Sequence, residues 1–178
     1  MSYPSVTEIL SPYSDFSKVP ADRLATAAER GSRVHGICAA IVQGLWVPSI
    51  PDDCAGYVAS FKKWLDVANP EIVLSEKELV HPAFKYLGHP DLIVRFPTDS
   101  DQTVVDFKTP LAKQKTWALQ LAAYRELARA NGYDVKRLGS LRLKPDGGFP
   151  IFDEHRDHGR AWTAFMGALS AWNYLWTE

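Results

Sequence analysis

Cysteine is nearly absent: Cys38 and Cys54 are the only two in 178 residues, and they fit neither a disulfide framework nor a zinc-binding spacing. The expected compartment is therefore a reducing one. No apolar run reaches the ~20 residues that a membrane-spanning helix needs, and no signal peptide or lipidation motif is visible, so no membrane partner is expected. An excess of one charge is lacking too. With 20 Lys and Arg against 21 Asp and Glu the formal net charge is −1, which provides no basic footprint of the kind that marks a general nucleic-acid binder. A metal enzyme, however, needs only a local basic groove around an acidic centre. Internal repeats and low-complexity linkers are also missing. What is present, 46% hydrophobic and 23% charged residues, is the composition of an ordinary globule. The chain is long enough to bury a core as one domain, residues 1–178, without covalent staples.

The richest stretch runs from Gly88 to Thr109, GHPDLIVRFPTDSDQTVVDFKT. Strand alternation in VVDFKT sends Val104, Asp106 and Lys108 to one face and Val105 and Phe107 to the other, with Asp106 and Lys108 about 7 Å apart. Asp91 to Phe96 reads as a second apolar strand. The PTDSDQ between them is dense in turn formers, so an antiparallel hairpin is predicted. Two registers suit it. If Phe96 pairs with Thr103, Asp91 lies opposite Lys108; a slip of two residues puts Asp91 opposite Asp106. Either one gathers Asp91, Asp106 and Lys108 on one face, whereas a slip of one would not. Such a set suits Mg²⁺ or Mn²⁺, which are held by one or two carboxylates while the rest of the shell stays open to water and phosphate. A lysine beside the metal can orient or deprotonate a water, or stabilise charge growing on phosphate. The competing reading is a turn-capping Asp91 and an Asp106–Lys108 ion pair on a solvated strand. Against it, Asp106 lies inside an apolar run, where an unpaired charge would be costly.

Ahead of the hairpin the pattern is helical. Ser5 or Thr7 caps a short helix, with Glu8 three residues after Ser5 in the capping-box spacing, and SPYSDFSKVP at 11–20 reads as loop. From about Ala21 to Trp46, Val34, Ile37, Cys38, Ile41, Val42 and Leu45 form one apolar stripe. His35 sits at its edge, as a boundary histidine or as a ligand. Gly31, one turn earlier, hints at close approach by another element. A second helix is predicted over about Asp53 to Ala68. EIVLSEKELV then reads as the first strand, with Glu76 and Glu78 on one face. Each is solvated edge charge or a further carboxylate for the site, Glu76 being the better candidate.

After the hairpin, Thr109 and Pro110 could begin a helix, but the stronger pattern runs from near Trp117 to Gly132. Gln120 and Tyr124 are one turn apart on its flank, placed for a core hydrogen bond or for substrate contact. Lys113 and Lys115 lie between hairpin and helix, where they meet phosphates or simply solvent. A strand and Gly-rich turn in KRLGSLRLKPDGGFPIF, a short strand near Phe149 to Phe152 and a helix from about Asp157 to Trp176 complete the order. The expected fold is α/β (α+β), a small mixed β-sheet flanked by helices with an N-terminal helical portion. It divides into helices over 1–70, sheet and helix over 71–145, and a closing strand and helix over 146–178.

With these residues in place, the sequence resembles the PD-(D/E)XK nuclease superfamily, in particular its RecB-like exonuclease branch. GSRVH with His35, GHPD with Asp91, DFK with Asp106 and Lys108, and QLAAY with Gln120 and Tyr124 carry the resemblance, over about Gly31 to Gly132. It implies a restriction-endonuclease-like core and a Mg²⁺- or Mn²⁺-dependent deoxyribonuclease, an exonuclease of recombination, repair or phage DNA processing. His35, Asp91, Asp106 and the backbone carbonyl of Phe107 would ligate one or two ions, with Glu76 as a further acid. Lys108 would position or activate the water, and Gln120 and Tyr124 would lie by the nucleic-acid channel. DNA is the implied partner. A recombinase, single-strand-binding protein or helicase would be a separate chain, since no helicase motif is present. The implied location is the cytoplasm of a bacterial or phage-infected cell. Two cysteines cannot supply the four-cysteine iron–sulfur cluster of some CRISPR-associated relatives. The alternative is a non-catalytic or partner-activated nucleic-acid-binding module of a recombination complex. A disrupted acid or lysine would favour it, and Asp91, Asp106 and Lys108 are all present.

Overall fold

The computed structural model describes residues 3–14, 20–110 and 112–176. Helix α1 (Val6–Leu10) starts at Ser5, not Thr7. The Ser5 hydroxyl accepts from the Glu8 N–H at 3.2 Å while the Glu8 carboxylate accepts the Ser5 N–H at 2.8 Å, completing the box. A 3₁₀ turn at Ser11–Tyr13 follows, so the segment read as loop over 11–20 is ordered at its start, and its residues 15–19 lie outside the described residues. Helix α2 (Ala21–Val42) ends before Trp46 because Gly44 adopts φ 68°, the left-handed turn that closes many helices. Leu45 therefore leaves the apolar stripe, and Leu45 and Trp46 are exposed. Helix α3 (Asp52–Ala68) ends on Asn69, also left-handed.

The strand expected over EIVLSEKELV is two strands. β1 (Glu71–Ser75) stops at Glu76, whose φ of 47° breaks the alternation. The remainder forms β2 (Leu79–Val80), which pairs with β3 (Leu87–Gly88) in a separate two-stranded ribbon. As a result Glu76 and Glu78 do not share a face. Glu78 lies 3.5 Å from His89 at the surface, whereas the Glu76 N–H donates to the Asp91 carbonyl.

The hairpin forms from β4 (Leu92–Arg95) and β5 (Gln102–Lys108), antiparallel as predicted and in the second of the two registers. Leu92 faces Val105 and Arg95 faces Gln102, which brings Asp91 opposite Asp106. Strand β6 (Val135–Arg142) runs parallel to β5, and β7 (Ile151–Glu154) antiparallel to β6, giving the order β1-β4-β5-β6-β7. The parallel step requires a crossover, supplied by α4 (Thr116–Ala130). Thr109 and Pro110 precede this helix without starting it. Helix α5 (His158–Trp176) closes the chain.

Helices cover both faces of the sheet. Val34 and Cys38 of α2 and Phe61 and Trp64 of α3 pack on Leu92, Val94, Val105 and Phe107. On the opposite face, α1, α4 and α5 pack Ile9, Leu121, Leu127 and Phe165 on Ile93, Val104 and Leu138. Two covered faces explain why β4 and the middle of β5 read as continuous apolar runs. The fold is mixed α/β: among the described residues, a five-stranded mixed sheet is flanked by five α-helices, three of them ahead of the first strand. Among the described residues, no helix is long and apolar enough to cross a membrane.

Candidate active site

Two buried acids stand side by side where β5 approaches its end. Asp91, just ahead of β4, is 4% exposed and Asp106 is 2% exposed. Asp91 Oδ1 lies 2.9 Å from His35 Nδ1, and its Oδ2 accepts the Phe107 N–H at 2.5 Å. The N–H and C=O of one residue in an extended strand lie on the same side of it, so the Phe107 carbonyl is on the β4 side of β5. Helix α2 delivers His35 because Val34 and Cys38 on either side of it are sunk in the core. The His35 ring stands edge-on to Phe107, with centroids 5.6 Å apart. Gly31 meets the end of β5: a Cβ added there would stand 3.4 Å from Thr109 Oγ1, the expected close approach, though as contact and not as clash. Glu76 reaches the same place through its left-handed turn. One donor atom from each of His35, Glu76 and Asp91 lies within 4.8 Å of the others.

Lys108 stands on the other side of Asp106. Its Nζ is 2.5 Å from Asp106 Oδ2, donates to Gln120 Oε1 at 2.7 Å, and sits 5.5 Å from the centroid of the Trp117 ring. Gln120 Nε2 in turn donates to the Tyr124 hydroxyl at 3.1 Å. The core hydrogen bond expected between Gln120 and Tyr124 is thus present, and its free end holds Lys108. Gly88 fixes Tyr124: a Cβ there would come within 2.7 Å of Tyr124 Cε1 and 3.0 Å of Leu127 Cδ1, so no side chain fits.

Crowding sets the protonation states. Burial, followed by the charge of Asp91 and a hydrogen bond to it, pushes the Glu76 carboxyl up to about 7. Burial also raises Asp106, and Lys108 only partly offsets it. For Asp91 burial pulls upward, but the charge and hydrogen bond of His35 and the Phe107 N–H outweigh it and hold the carboxyl below its ordinary value. Burial opposes charge on His35, yet Asp91 beside it raises the imidazole overall. With three carboxyls against one ammonium and one imidazole, the cheapest arrangement keeps a proton on the least buried acid.

Lys113 and Lys115 are not drawn into this cluster. Lys113 is 58% exposed and ion-paired with Asp153 on β7, and Lys115 is exposed at the start of α4. Three neighbours of the site were not singled out from sequence. Trp117 marks only the start of the helical pattern, and nothing along the chain signals its contact with Lys108. Arg142 and Asp153 approach the site through the parallel pairing of β5 with β6. The alternation in LGSLR places Arg142 on the Ser140 face, but it does not say which strand lies alongside.

No family model matches the chain, and no curated protein matches it. Among solved structures, it is similar to an alkaline exonuclease, LHK-Exo, from Laribacter hongkongensis, at 11% identity and a TM-score of 0.47, over 95% of this chain and 88% of that one. It is similar to the same exonuclease in complex with dAMP, at 13% identity, the same TM-score of 0.47, and again 95% and 88% coverage.

Proposed function

We propose that the chain is a metal-dependent nuclease that hydrolyses DNA phosphodiester bonds, and that it acts as an exonuclease in recombination, repair or phage DNA processing. One observation carries this reading: His35, Glu76 and Asp91, from an N-terminal helix, a strand end and a hairpin, bring donor atoms within 4.8 Å of one another, and the buried Asp106, ion-paired with Lys108, lies on the neighbouring strand. The donor set fits a hard divalent cation. It gathers one nitrogen and several carboxylate oxygens, crowded enough that Glu76 keeps a proton to about pH 7, which a bound cation would displace. His35, Asp91, Asp106 and the Phe107 carbonyl, with Glu76, would hold one or two Mg²⁺ or Mn²⁺ ions. When bound, such an ion makes a water more acidic and neutralises charge on a phosphate.

The rest is the work of the chain's own groups. Lys108 is ion-paired with Asp106 and donates a hydrogen bond to Gln120, which together hold its ammonium in place to serve an attacking water or a phosphate oxygen. Asp91 joins the helical half to the hairpin by bonding both His35 and the Phe107 N–H. Gln120 and Tyr124 keep the ammonium at the mouth of the site by fixing its amide partner. DNA is the substrate of this reading, and any recombinase, single-strand-binding protein or helicase would be a separate chain.

The test is a time course on end-labelled linear and closed-circular DNA, single- and double-stranded, with Mg²⁺, Mn²⁺ or EDTA, for wild type and Lys108→Ala. Metal-dependent loss of linear DNA alone, absent in Lys108→Ala with Mn²⁺ binding retained, is the expected result. Cutting of circles would replace exonuclease with endonuclease. An active Lys108→Ala enzyme would remove the lysine from the chemistry.

A further inference from the structure

Helix α5 departs from the pattern of a surface helix. Its inner stripe is ordinary, with Ala161, Phe165, Ala168 and Leu169 buried against the core that α1 and α4 share. The outer face lacks the charged residues that the solvent side of a helix normally carries. From Ala161 to Trp176 there is no Asp, Glu, Lys, Arg or His. Thr163, Gly167, Ser170 and Tyr174 follow one another at helical spacings along this face, and all are exposed. Past Trp172 the residues Asn173 to Trp176 are exposed in succession, Tyr174 at 87%, Leu175 at 62% and Trp176 at 57%. A last turn that holds Tyr, Leu and Trp and no charge has a surface that belongs under cover.

We propose that α5 pairs antiparallel with α5 of a second copy of this chain, about a two-fold axis between Ser170 and Ala171, so that Tyr174 of each copy seats on Gly167 of the other. A two-fold interface must be self-complementary, and this single face carries both knob and hole. Tyr174 is the knob; Gly167, two turns earlier, is the hole, since a Cβ added there would meet nothing within 4 Å. On one flank a cleft of about 400 Å³, bordered by Phe84, Met166 and Leu169, leaves room for the incoming ring. Identical faces bring identical charges together, and a face without charge meets its copy at no Coulombic cost. The same absence disfavours nucleic acid, which draws its affinity from Lys and Arg at the phosphates. Area points to a dimer of modest affinity. Tyr174, Leu175 and Trp176, with Phe84 at 40% exposed, offer roughly 500 Å² per copy at about 200 Å² for a whole aromatic side chain. Two copies then cover roughly 1,000 Å², the lower edge of a specific interface.

The experiment is sedimentation equilibrium of the full chain over roughly 1 to 200 μM, the range such an area implies. Wild type should pass from monomer to dimer within it. Tyr174→Glu places two carboxylates in the interface and should weaken the dimer about a hundredfold or more. Gly167→Gln should do the same by filling the hole, while the thermal melt of its monomer stays equal or rises, because a glycine leaves a helix interior. Ser170→Cys, beside the axis, should form a disulfide-linked dimer on mild oxidation. Thr163→Cys should not, because the rise of an antiparallel pair sets its two copies about 22 Å apart. Cys38 and Cys54 are buried and do not compete.

A wild-type chain that stays monomeric throughout would overturn the proposal. So would a dimer that Tyr174→Glu and Gly167→Gln leave intact, since the contact would then lie on another surface. Equal cross-linking of Thr163→Cys and Ser170→Cys would replace the antiparallel arrangement with a parallel one and overturn the axis proposed. A monomeric wild type whose Tyr174→Glu variant loses affinity for a fluorescein-labelled oligonucleotide would give the face to nucleic acid instead. The nuclease reading stands or falls separately, on cleavage.

Discussion

Replacing Glu76 by glutamine should make the metal-free protein more stable and the metal-bound protein less so. The Glu76 carboxyl is raised from 4.5 to about 7 by burial and by Asp91 beside it. A folded-state value above the unfolded one means that the fold prefers the protonated acid. Its contribution to stability is complete below about pH 4.5 and is lost as the pH rises through 7. At pH 8 without metal, the wild-type fold thus carries the full penalty of an ionised Glu76. Each pH unit between the two values is about 1.4 kcal/mol, a ceiling of about 3 kcal/mol, and solvent screening of this half-buried side chain reduces it to about 1–2 kcal/mol. Glutamine keeps the size and a hydrogen bond to Asp91 without the charge. For a chain of 178 residues that corresponds to a rise in Tm of about 3–6 °C. The assay is a thermal melt in EDTA at pH 8 and at pH 5, where the difference should shrink to about 1 °C, repeated with Mn²⁺ in excess. Added Mn²⁺ should raise the wild-type Tm more than that of the variant, because binding to the folded state stabilises it in proportion to affinity. A Tm for Glu76→Gln equal to or below wild type at pH 8 in EDTA would refute the electrostatic account. Equal Mn²⁺-induced shifts would remove Glu76 from the ligand set.

Other substitutions separate ligand, lysine holder and scaffold. Asp106→Ala should lose both Mn²⁺ binding, by calorimetry, and all hydrolysis; unchanged Mn²⁺ affinity would take Asp106 out of the metal site. Trp117→Leu removes the aromatic face under the Lys108 ammonium, a contact that contributes about 0.5–2 kcal/mol. Its kcat should fall about tenfold with Mn²⁺ affinity unchanged, and Trp117→Phe should recover part of the loss. Gly88→Ala drives a methyl into Tyr124 and Leu127 and should destabilise the fold by about 1–3 kcal/mol in urea. Loss of activity in this variant is expected to exceed loss of stability, because Tyr124 holds Gln120 and through it Lys108.

The hairpin and the faces of its acids could be read from sequence because alternation is a local property. Asp106 and Lys108 are two apart whatever lies beside them, and PTDSDQ allows only a turn. The choice between the two registers was not legible, because a slip of two residues leaves every side chain on its face. Glu76 lies with His35 and Asp91 while Glu78 stands at the surface, for a reason invisible along the chain. A non-glycine residue in the left-handed region gives no compositional sign, and only the fold shows that the strand stops at Ser75. The end of α2 was misplaced in the same way, with Leu45 continuing the apolar period past the glycine that terminates the helix. Trp117 and Arg142 escaped notice because their neighbourhood to Lys108 is created by the α4 crossover, which joins residues that no short-range pattern relates. Lys113 was noticed, but its anchor, Asp153, enters from the last strand.

The bond between His35 and Asp91 joins residues 56 positions apart, and its consequence concerns time as much as space. A nascent chain exposes the histidine long before the hairpin acids exist, and the lysine remains without its amide partner until α4 has docked. Contacts of this span close late, after the loop entropy has been met by the sheet around them, and three mutually repelling carboxyls oppose their own assembly until the core compels it. A polypeptide with this arrangement has no competent centre as a partly folded intermediate. On the nuclease reading proposed above, cleavage of nucleic acid is thereby deferred until folding is finished.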